Sequence, residues 1–197
     1  MYATLSRLMD LMPPPKNLRF ARVQWERLEN AIGMAYPSSF KEFIGVYGGS
    51  VWFDNLSPFY TEAKSDGEVK KFLKSVEEKL KRLRGNTYDE DYNCLELPLF
   101  PEKGGLLPFM IDYAGNLYNW LSVQENPEKW PIAVWLTGSI RMLDGMTISS
   151  MILDWLERKP LMIELWGDVQ EFDPKRLCLT ETSAPDRKKE RKKNDCK

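Results

Sequence analysis

Residues 25–54 constrain the fold more than any other segment, because helix, turn and strand signals follow one another there without a gap. The first apolar residues of the segment recur at helical spacing on one face, and they are Trp25, Leu28 and Ile32. Gly33 is expected to end this helix, since glycine readily adopts the left-handed conformation found at helix ends. The residue before Pro37 is pushed toward an extended conformation, so a sharp turn must follow.

A second helix is predicted directly after this turn. Ser39 and Glu42 have the spacing of a capping box, in which two side chains satisfy backbone amides of the first helical turn. The helix then carries an apolar stripe wide enough to pack on a core, formed by Phe40, Phe43, Ile44 and Tyr47. Gly48 and Gly49 stop the helix, and residues 50–53 are expected to form a strand.

The order of these residues resembles the SUKH superfamily, which includes bacterial immunity proteins against polymorphic toxins and a fungal regulator of cell-wall synthesis. The resemblance rests on the pattern Glu29-x-x-Ile32-Gly33-x-x-Tyr36-Pro37-x-x-Phe40-x-x-Phe43, which is followed by Tyr47-Gly48-Gly49 and the strand. Tyr-Pro stands here where the family usually has Leu-Pro. The resemblance implies a single-domain α+β fold in which a mostly antiparallel sheet packs against several helices.

Length and composition agree with one domain. A chain of 197 residues, of which 43% are apolar and 29% charged, can bury one substantial core. We expect an N-terminal arm or short helix at 1–17, a SUKH-like domain at 18–160 with a helical insertion at 61–95, a C-terminal extension at 161–183 and a disordered charged tail at 184–197.

The cysteines and the hydropathy both favour the cytoplasm. Cys94, Cys178 and Cys196 are odd in number and far apart, which fits a reducing compartment better than a set of disulfides. No apolar run approaches the roughly eighteen residues needed to span a bilayer, and the N-terminus lacks the features of a signal peptide. We therefore predict a cytoplasmic protein that does not bind membranes and is a monomer or a weak dimer.

The absence of histidine from the sequence removes several classes of enzyme from consideration. Histidine is the usual proton shuttle near neutral pH and a common ligand of zinc, copper and iron. Ser-His-Asp and Cys-His hydrolysis therefore cannot operate within this chain. Enzymes that use carboxylates, lysine or tyrosine remain open, and no metal or other cofactor is predicted.

Charge is unevenly distributed along the sequence. Residues 184–197 contain seven Lys/Arg and three Asp/Glu, so the preceding part of the chain has a net charge of about −5. An acidic body would attract a basic partner and speed its encounter, as an inhibitor of a nuclease toxin requires. The tail could bind nucleic acid or form a solvated end, and its mixed charge and lack of aromatic residues favour the solvated end. No nucleic-acid partner is predicted.

Two helices are predicted outside the opening segment. Leu5 and Leu8 belong to a short amphipathic stretch that ends at Pro13 and is expected to dock on its own domain or on a second subunit. The other helix begins at Ser65, with a glutamate three residues later, and keeps one face apolar until Gly85. Oppositely charged residues four positions apart cover its outer face, which favours a scaffold helix over a phosphate-binding one.

The second half of the chain has the period of strands. Residues 106–111 and 117–121 predict a hairpin around a turn at 113–116. Residues 131–137 are apolar on both faces, which predicts a strand in the interior of the sheet, and residues 140–143 predict its neighbour. The sheet is expected to be largely antiparallel.

A last helix is predicted after these strands. Thr147 is expected to cap it, and Pro160 lies just beyond its predicted end. Residues 161–179 are expected to contain an edge strand with loops.

Three acidic residues, Asp89, Glu90 and Asp91, lie between Tyr88 and Tyr92. The segment lacks the alternating acidic spacing and the distant glutamate of a calcium-binding loop, which argues against a metal site. Two interpretations stay open. One is a protein interface in which tyrosines anchor the contact and carboxylates match a basic partner, and the other is an exposed loop.

Asp54 and Asp112 each follow an apolar strand, where their side chains could line a cleft. Pairs of carboxylates catalyse glycoside hydrolysis without histidine. Acidic residues at strand ends more often form turns, so we favour the structural role over catalysis.

The resemblance to SUKH proteins implies binding without catalysis. It points to an immunity-type protein that neutralises a cognate toxin domain stoichiometrically, with a regulatory or adaptor domain as the alternative and a carboxylate-only enzyme as the third possibility. Exposed aromatic and acidic residues near strand ends and loops are the candidates for partner binding, and they are Asp54, Tyr60, Asp89, Glu90, Asp91, Asp112 and Tyr113.

Overall fold

A computed structural model describes residues 3–53, 55–85, 97–136, 139–169 and 179–180 of the protein. Its helices are α1 (Ala3–Leu11), α2 (Trp25–Ile32), α3 (Ser38–Tyr47), α4 (Asp66–Gly85), α5 (Ile148–Leu156) and α6 (Pro160–Trp166). Its strands are β1 (Ser50–Val51), β2 (Leu56–Pro58), β3 (Leu106–Asp112), β4 (Leu117–Leu121), β5 (Ile132–Leu136), β6 (Ser139–Leu143) and β7 (Leu179–Thr180). The predicted α+β class is confirmed.

Five of the strands form one antiparallel sheet in the order β2-β3-β4-β5-β6, which is also their order along the chain. The pairs Leu107–Trp120 and Ile111–Leu117 set the register of the β3–β4 hairpin, and the register shifts between Pro108 and Met110. β5 lies between β4 and β6, so the predicted hairpin and the predicted interior strand are both confirmed. β1 pairs separately with β7.

The turn between α2 and α3 is built around Glu29. Gly33 ends α2 in the left-handed conformation, and its N–H donates to the Glu29 carbonyl at 2.9 Å. The Glu29 carboxylate accepts the N–H of Tyr36 at 2.8 Å and pairs with Lys41. Glu29 therefore stabilises the turn through both its backbone carbonyl and its carboxylate. It is the first residue of the SUKH-like sequence pattern, and this is its structural role.

The predicted capping box at the start of α3 is wrong. Pro37 occupies the N-cap position, and neither Ser39 nor Glu42 caps the first turn. The Ser39 N–H instead donates to Glu128 Oε1 at 2.9 Å, from a 3₁₀ turn at Pro127–Lys129. A carboxylate from a distant part of the chain thus satisfies an amide that would otherwise lack a partner.

Phe40 joins the helices to the sheet. Its ring centroid lies 5.0 Å from that of Trp120 and 5.8 Å from that of Tyr36, and Trp120 stacks on Phe109 at 4.3 Å. All four side chains are buried. Because each aromatic pair adds about 0.5–1.5 kcal/mol beyond its buried area, this cluster fixes the α2–α3 turn on the central strands.

The N-terminal helix packs on the domain itself. Leu5 and Leu8 of α1 are buried, and α1 lies against α5. The hydroxyl of Tyr47 donates to the carbonyl of Met12 at 2.8 Å, which ties the segment after α1 to the end of α3. This helix was predicted to dock either on its own domain or on a second subunit, and the structure shows it docked on its own domain.

α4 begins and ends where the sequence predicts. The oxygen of Ser65 accepts the Glu68 N–H at 3.3 Å, and Glu68 Oε2 accepts the Lys64 N–H at 2.8 Å. Glu77 pairs with Lys81 at 2.6 Å on the exposed face, as predicted.

The C-terminal region differs from its prediction. Thr147 caps α5 as expected, in a capping box with Ser150. Pro160 lies beyond the end of α5, as predicted, and it also begins a further helix, α6, that was not predicted, because a missing N–H has no cost in the first helical turn. Among the described residues of the predicted edge-strand region, the strand is β7, and the predicted tail at 184–197 lies outside the described residues.

Candidate protein-binding surface

The described residues that were predicted to contact a partner lie along one edge of the sheet. Leu56 of the edge strand β2 is opposite Asp112, and Tyr60 lies two residues after β2. Tyr113 is 83% exposed, and its N–H donates to Asn55 Oδ1 at 3.4 Å. The remaining predicted residues lie outside the described part of the chain, and they are Asp54, Asp89, Glu90 and Asp91.

The carboxylate of Asp112 is directed into the β3–β4 hairpin. Asp112 is 8% exposed, and its oxygens accept the backbone N–H of Asn116 at 2.9 Å and the side-chain amide of Asn116 at 2.8 Å. The Tyr118 hydroxyl also donates to it at 3.3 Å. Asp112 therefore holds the turn that presents Tyr113, which is the structural role that its strand-end position favoured.

Tyr118 extends this polar network into the core. Burial raises the pKa of its phenol above the usual value, and the negative charge of Asp112 adds to that rise against the opposing hydrogen bond from Trp166. The protonated hydroxyl accepts the indole N–H of Trp166 at 2.5 Å while it donates to Asp112. The network thus connects the hairpin turn to α6.

The Gly48–Gly49 corner holds a segment that sequence reasoning missed, residues 18–20. Gly48 has φ +57°, and a Cβ atom at this position would lie 2.0 Å from the carbonyl oxygen of Arg19. The N–H of Gly49 donates to that same oxygen at 3.0 Å. Only glycine permits this approach, so the corner both stops α3 and seats the segment that precedes α2.

Phe20 is displayed by this segment in a strained conformation. Its φ of +56° lies in the left-handed region, which is unfavourable for a bulky side chain, and the side chain is 43% exposed. The hydroxyl of Tyr60 donates to the Phe20 carbonyl and so holds the conformation. Backbone strain of about 1–3 kcal/mol that surrounding contacts maintain is a feature of functional sites.

Phe20 lies at the rim of an open groove between β2 and α4, which we name the β2–α4 groove. The groove has a volume of about 460 Å³. Aromatic residues from three parts of the chain line it together with two carboxylates and a lysine, namely Phe20, Phe59, Tyr60, Phe72, Glu62, Glu68 and Lys71. Such a mixture is typical of the anchor pockets of protein interfaces.

A second and larger groove lies on the other side of α4, against α2. This α2–α4 groove has a volume of about 710 Å³ and an aliphatic floor that includes Ala31, Val69 and Leu73. Arg27 crosses it and donates to the carbonyls of Ala63 and Lys64 at 3.0 and 2.6 Å. The arginine therefore ties α2 to the chain that leads into α4.

The described residues give little support for a metal site, for catalysis by a pair of carboxylates or for a membrane-spanning helix. Within them, no group of three or more Cys, Asp and Glu side chains is arranged to hold a metal ion. Of the two carboxylates considered for catalysis, Asp112 serves the hairpin turn and Asp54 lies outside the described residues. No helix in the described ranges is long and apolar enough to cross a bilayer.

A family model described as SMI1 / KNR4 family (SUKH-1) matches residues 21–172. This protein belongs to the SMI1/KNR4 family. Members of this SUKH family have toxin-immunity or related regulatory roles and are generally not enzymes. No curated protein and no solved structure matches the sequence significantly.

The SMI1/KNR4 match covers the whole five-stranded sheet and helices α2 to α6. It therefore includes α6, which the sequence pattern placed in an extension outside the family region. Phe20 lies one residue before the match, whereas the Gly48–Gly49 corner that seats it lies inside.

Proposed function

We propose that this protein is an immunity-type member of the SMI1/KNR4 family that binds a cognate toxin domain through the β2–α4 groove and neutralises it stoichiometrically. The observation that carries this proposal is the display of Phe20, which lines the groove, is exposed and has a positive φ. The Tyr60 hydroxyl donates to its carbonyl, and the Gly49 N–H donates to the carbonyl of the preceding Arg19. An anchor that is fixed before binding loses little conformational entropy in the complex.

The proposed surface extends from the groove along β2 to Tyr113. Leu56 is opposite Asp112, and Tyr60 lies four positions after Leu56, so Asp112 and Tyr60 mark a span of about 13 Å along the strand direction. A patch of this length, widened by α4, suits a standard interface of about 800 Å² per partner. We include Asp54, Asp89, Glu90 and Asp91 in the proposed surface, because they follow β1 and α4 in the chain.

Neutralisation requires no reaction by this protein. A rigid scaffold that covers the toxin's active site, or another essential surface, blocks access for as long as the complex persists. The aromatic cluster around Phe40 and the hairpin network at Asp112 supply that rigidity. The effect is therefore expected to saturate at one protein per toxin domain.

Coexpression with candidate toxin domains, taken from the genes that neighbour this one, tests the proposal. We expect the protein to restore growth, and we expect calorimetry to show one-to-one binding. Phe20→Ala should weaken binding about 30-fold or more, which is the loss typical of an aromatic anchor. Met142→Ala is the matched control, because Met142 is 42% exposed but lies on β6 at the opposite edge of the sheet.

Two outcomes would count against the proposal. Equal losses in Phe20→Ala and Met142→Ala would remove the β2–α4 groove from the interface. A stable complex with a cellular protein, together with no protection against the toxin, would favour the regulatory or adaptor role instead.

A further inference from the structure

Two neighbouring turns lie at the end of the sheet where Tyr113 is exposed. The Tyr113 turn is formed by residues 112–116, between β3 and β4. The Phe53 turn lies between Trp52 and Leu56, which exchange backbone hydrogen bonds of 2.8 and 3.0 Å. The side chain of Asn55, a residue that is 7% exposed, accepts the N–H of Tyr113 at 3.4 Å. The two turns are therefore joined to each other by a side chain that the fold encloses.

The Phe53 turn is supported from beneath by α5. Phe53 has a φ of +56°, which is unfavourable for a bulky residue, and it is 2% exposed. Its ring centroid lies 4.5 Å from that of Trp155, with the rings nearly perpendicular. A conformation of this kind persists only where surrounding contacts maintain it, and the ring of Trp155 provides such a contact.

Trp166 of α6 contacts the supports of both turns. Its ring centroid lies 5.1 Å from that of Trp155, on which the Phe53 turn rests. Its indole N–H donates at 2.5 Å to the hydroxyl of Tyr118, which donates at 3.3 Å to Asp112 in the Tyr113 turn. Trp166 is only 5% exposed, so it affects the surface through these neighbours.

We infer that Trp166 is a positioning residue for partner binding, because it fixes the Tyr113 turn and the Phe53 turn in the conformation that binds the partner. This role rests on the proposed function, since Tyr113 belongs to the proposed surface. Without the indole N–H, the buried oxygen of Tyr118 loses its donor and the hydroxyl is no longer directed at Asp112. A turn that is less well held must be ordered when the partner binds, which costs affinity.

Trp166→Phe tests this role in the full-length protein without any partner. Phenylalanine keeps a ring against Trp155 but has no N–H. We expect the backbone amides of Asn55, Tyr113 and Asn116, which donate hydrogen bonds within and between the two turns, to exchange with solvent about tenfold faster. Hydrogen exchange followed by NMR measures these rates.

Trp130→Phe is the matched control. Trp130 is 6% exposed, and its indole N–H donates at 2.6 Å to the carbonyl of Gln124. It lies beside Trp120, at the end of β4 away from the Tyr113 turn. This variant removes an equivalent buried hydrogen bond, so it controls for a general loss of stability. It should leave the exchange of the three amides unchanged within about twofold.

A double variant tests whether Trp166 acts through Tyr118. Tyr118→Phe removes the hydroxyl that joins Trp166 to Asp112, so the indole N–H has no further effect on the Tyr113 turn in its absence. The Asn116 amide of Trp166→Phe/Tyr118→Phe should therefore exchange no more than about twofold faster than that of Tyr118→Phe alone. Independent, multiplying effects of the two substitutions would contradict the positioning role.

Calorimetry with the toxin domain that coexpression identifies measures the consequence for binding. We expect Tyr113→Ala and Trp166→Phe each to weaken binding about tenfold, and Trp130→Phe to change it by less than about twofold. The positioning role is excluded if Trp166→Phe leaves the exchange of Asn116 unchanged, or if it affects the affinity no more than Trp130→Phe does.

The same variants separate this role from the proposed function. If Phe20→Ala abolishes toxin binding but Tyr113→Ala and Trp166→Phe retain it, the β2–α4 groove is the interface and the positioning role is wrong. If Phe20→Ala retains full affinity but Trp166→Phe weakens binding, the groove is not the interface and the positioning role stands.

Discussion

The two grooves beside α4 differ in the features that make a binding surface. The α2–α4 groove is larger, at about 710 Å³ against 460 Å³, but it has an aliphatic floor and is crossed by Arg27. The β2–α4 groove is smaller, but it gathers four aromatic side chains, one of them strained and exposed. Because interface energy concentrates in a few aromatic and charged anchors, the smaller groove is the better candidate for recognition.

The two grooves also differ in what their residues do, because one groove stabilises the fold and the other presents an exposed side chain. Arg27 donates hydrogen bonds to the carbonyls of Ala63 and Lys64, so residues of the protein itself hold the two sides of the α2–α4 groove together. The hydrogen bond from Tyr60 holds the backbone of Phe20, and the side chain stays exposed. If volume alone decided, the α2–α4 groove would be the better candidate for partner binding.

The largest expected effect comes from the glycine corner of the β2–α4 groove. Gly48→Ala places a Cβ atom against the Arg19 carbonyl and strains a positive φ, so we expect a loss of about 3 kcal/mol or more in the free energy of unfolding. Urea denaturation measures the loss, and calorimetry should show that partner binding fails with it.

Gly33→Ala is the matched control for this change. Gly33 also has a positive φ of +73°, but nothing lies within 4 Å of an added Cβ, so strain alone should cost about 1–2 kcal/mol. Equal losses at both positions would show that the close approach of residues 18–20 is not essential.

A smaller effect is expected from the α2–α4 groove. Arg27→Met removes hydrogen bonds to two carbonyls, which should cost about 1–2 kcal/mol of stability, while its exposed ion pair with Asp66 contributes little. Partner affinity should stay unchanged. Glu26→Gln, on the same helix and groove, controls for charge, and a tenfold loss of affinity in Arg27→Met would reverse our ranking of the two grooves.

The smallest effect is expected from one hydroxyl of the β2–α4 groove. Tyr60→Phe removes the hydrogen bond to the Phe20 carbonyl, which should cost about 1 kcal/mol of stability and weaken partner binding several-fold. Thermal unfolding and calorimetry measure the two losses. Tyr113→Phe removes the hydroxyl of a residue that is 83% exposed, and this control should leave stability unchanged.

Much of the fold follows from local signals in the sequence. The apolar stripes of α2, α3 and α4 and the alternation of β3 and β4 each involve residues a few positions apart, and each element was predicted correctly. The errors involve distant partners or an ambiguous residue. Glu128 satisfies the Ser39 amide from 89 positions away, and Pro160 can end one helix or begin another.

The candidate site was harder to predict for the same reason. Tyr60 and Tyr113 were predicted because aromatic residues near strand ends suit interfaces, and the structure places Tyr113 in an exposed position and Tyr60 in a half-buried one. Phe20 was missed because its display depends on contacts with Gly49 and Tyr60, which are far away in the sequence. The only signal was an isolated aromatic residue in a basic stretch, and that signal does not reveal a conformation.

The way in which Phe20 is held has an evolutionary consequence. The hydrogen bonds from Gly49 and Tyr60 reach the carbonyls of residues 19 and 20, and neither involves the ring of Phe20. An exchange of the side chain at position 20 therefore leaves these bonds intact. The scaffold can acquire a new specificity by single substitutions at this position, so recognition and folding can diverge at different rates.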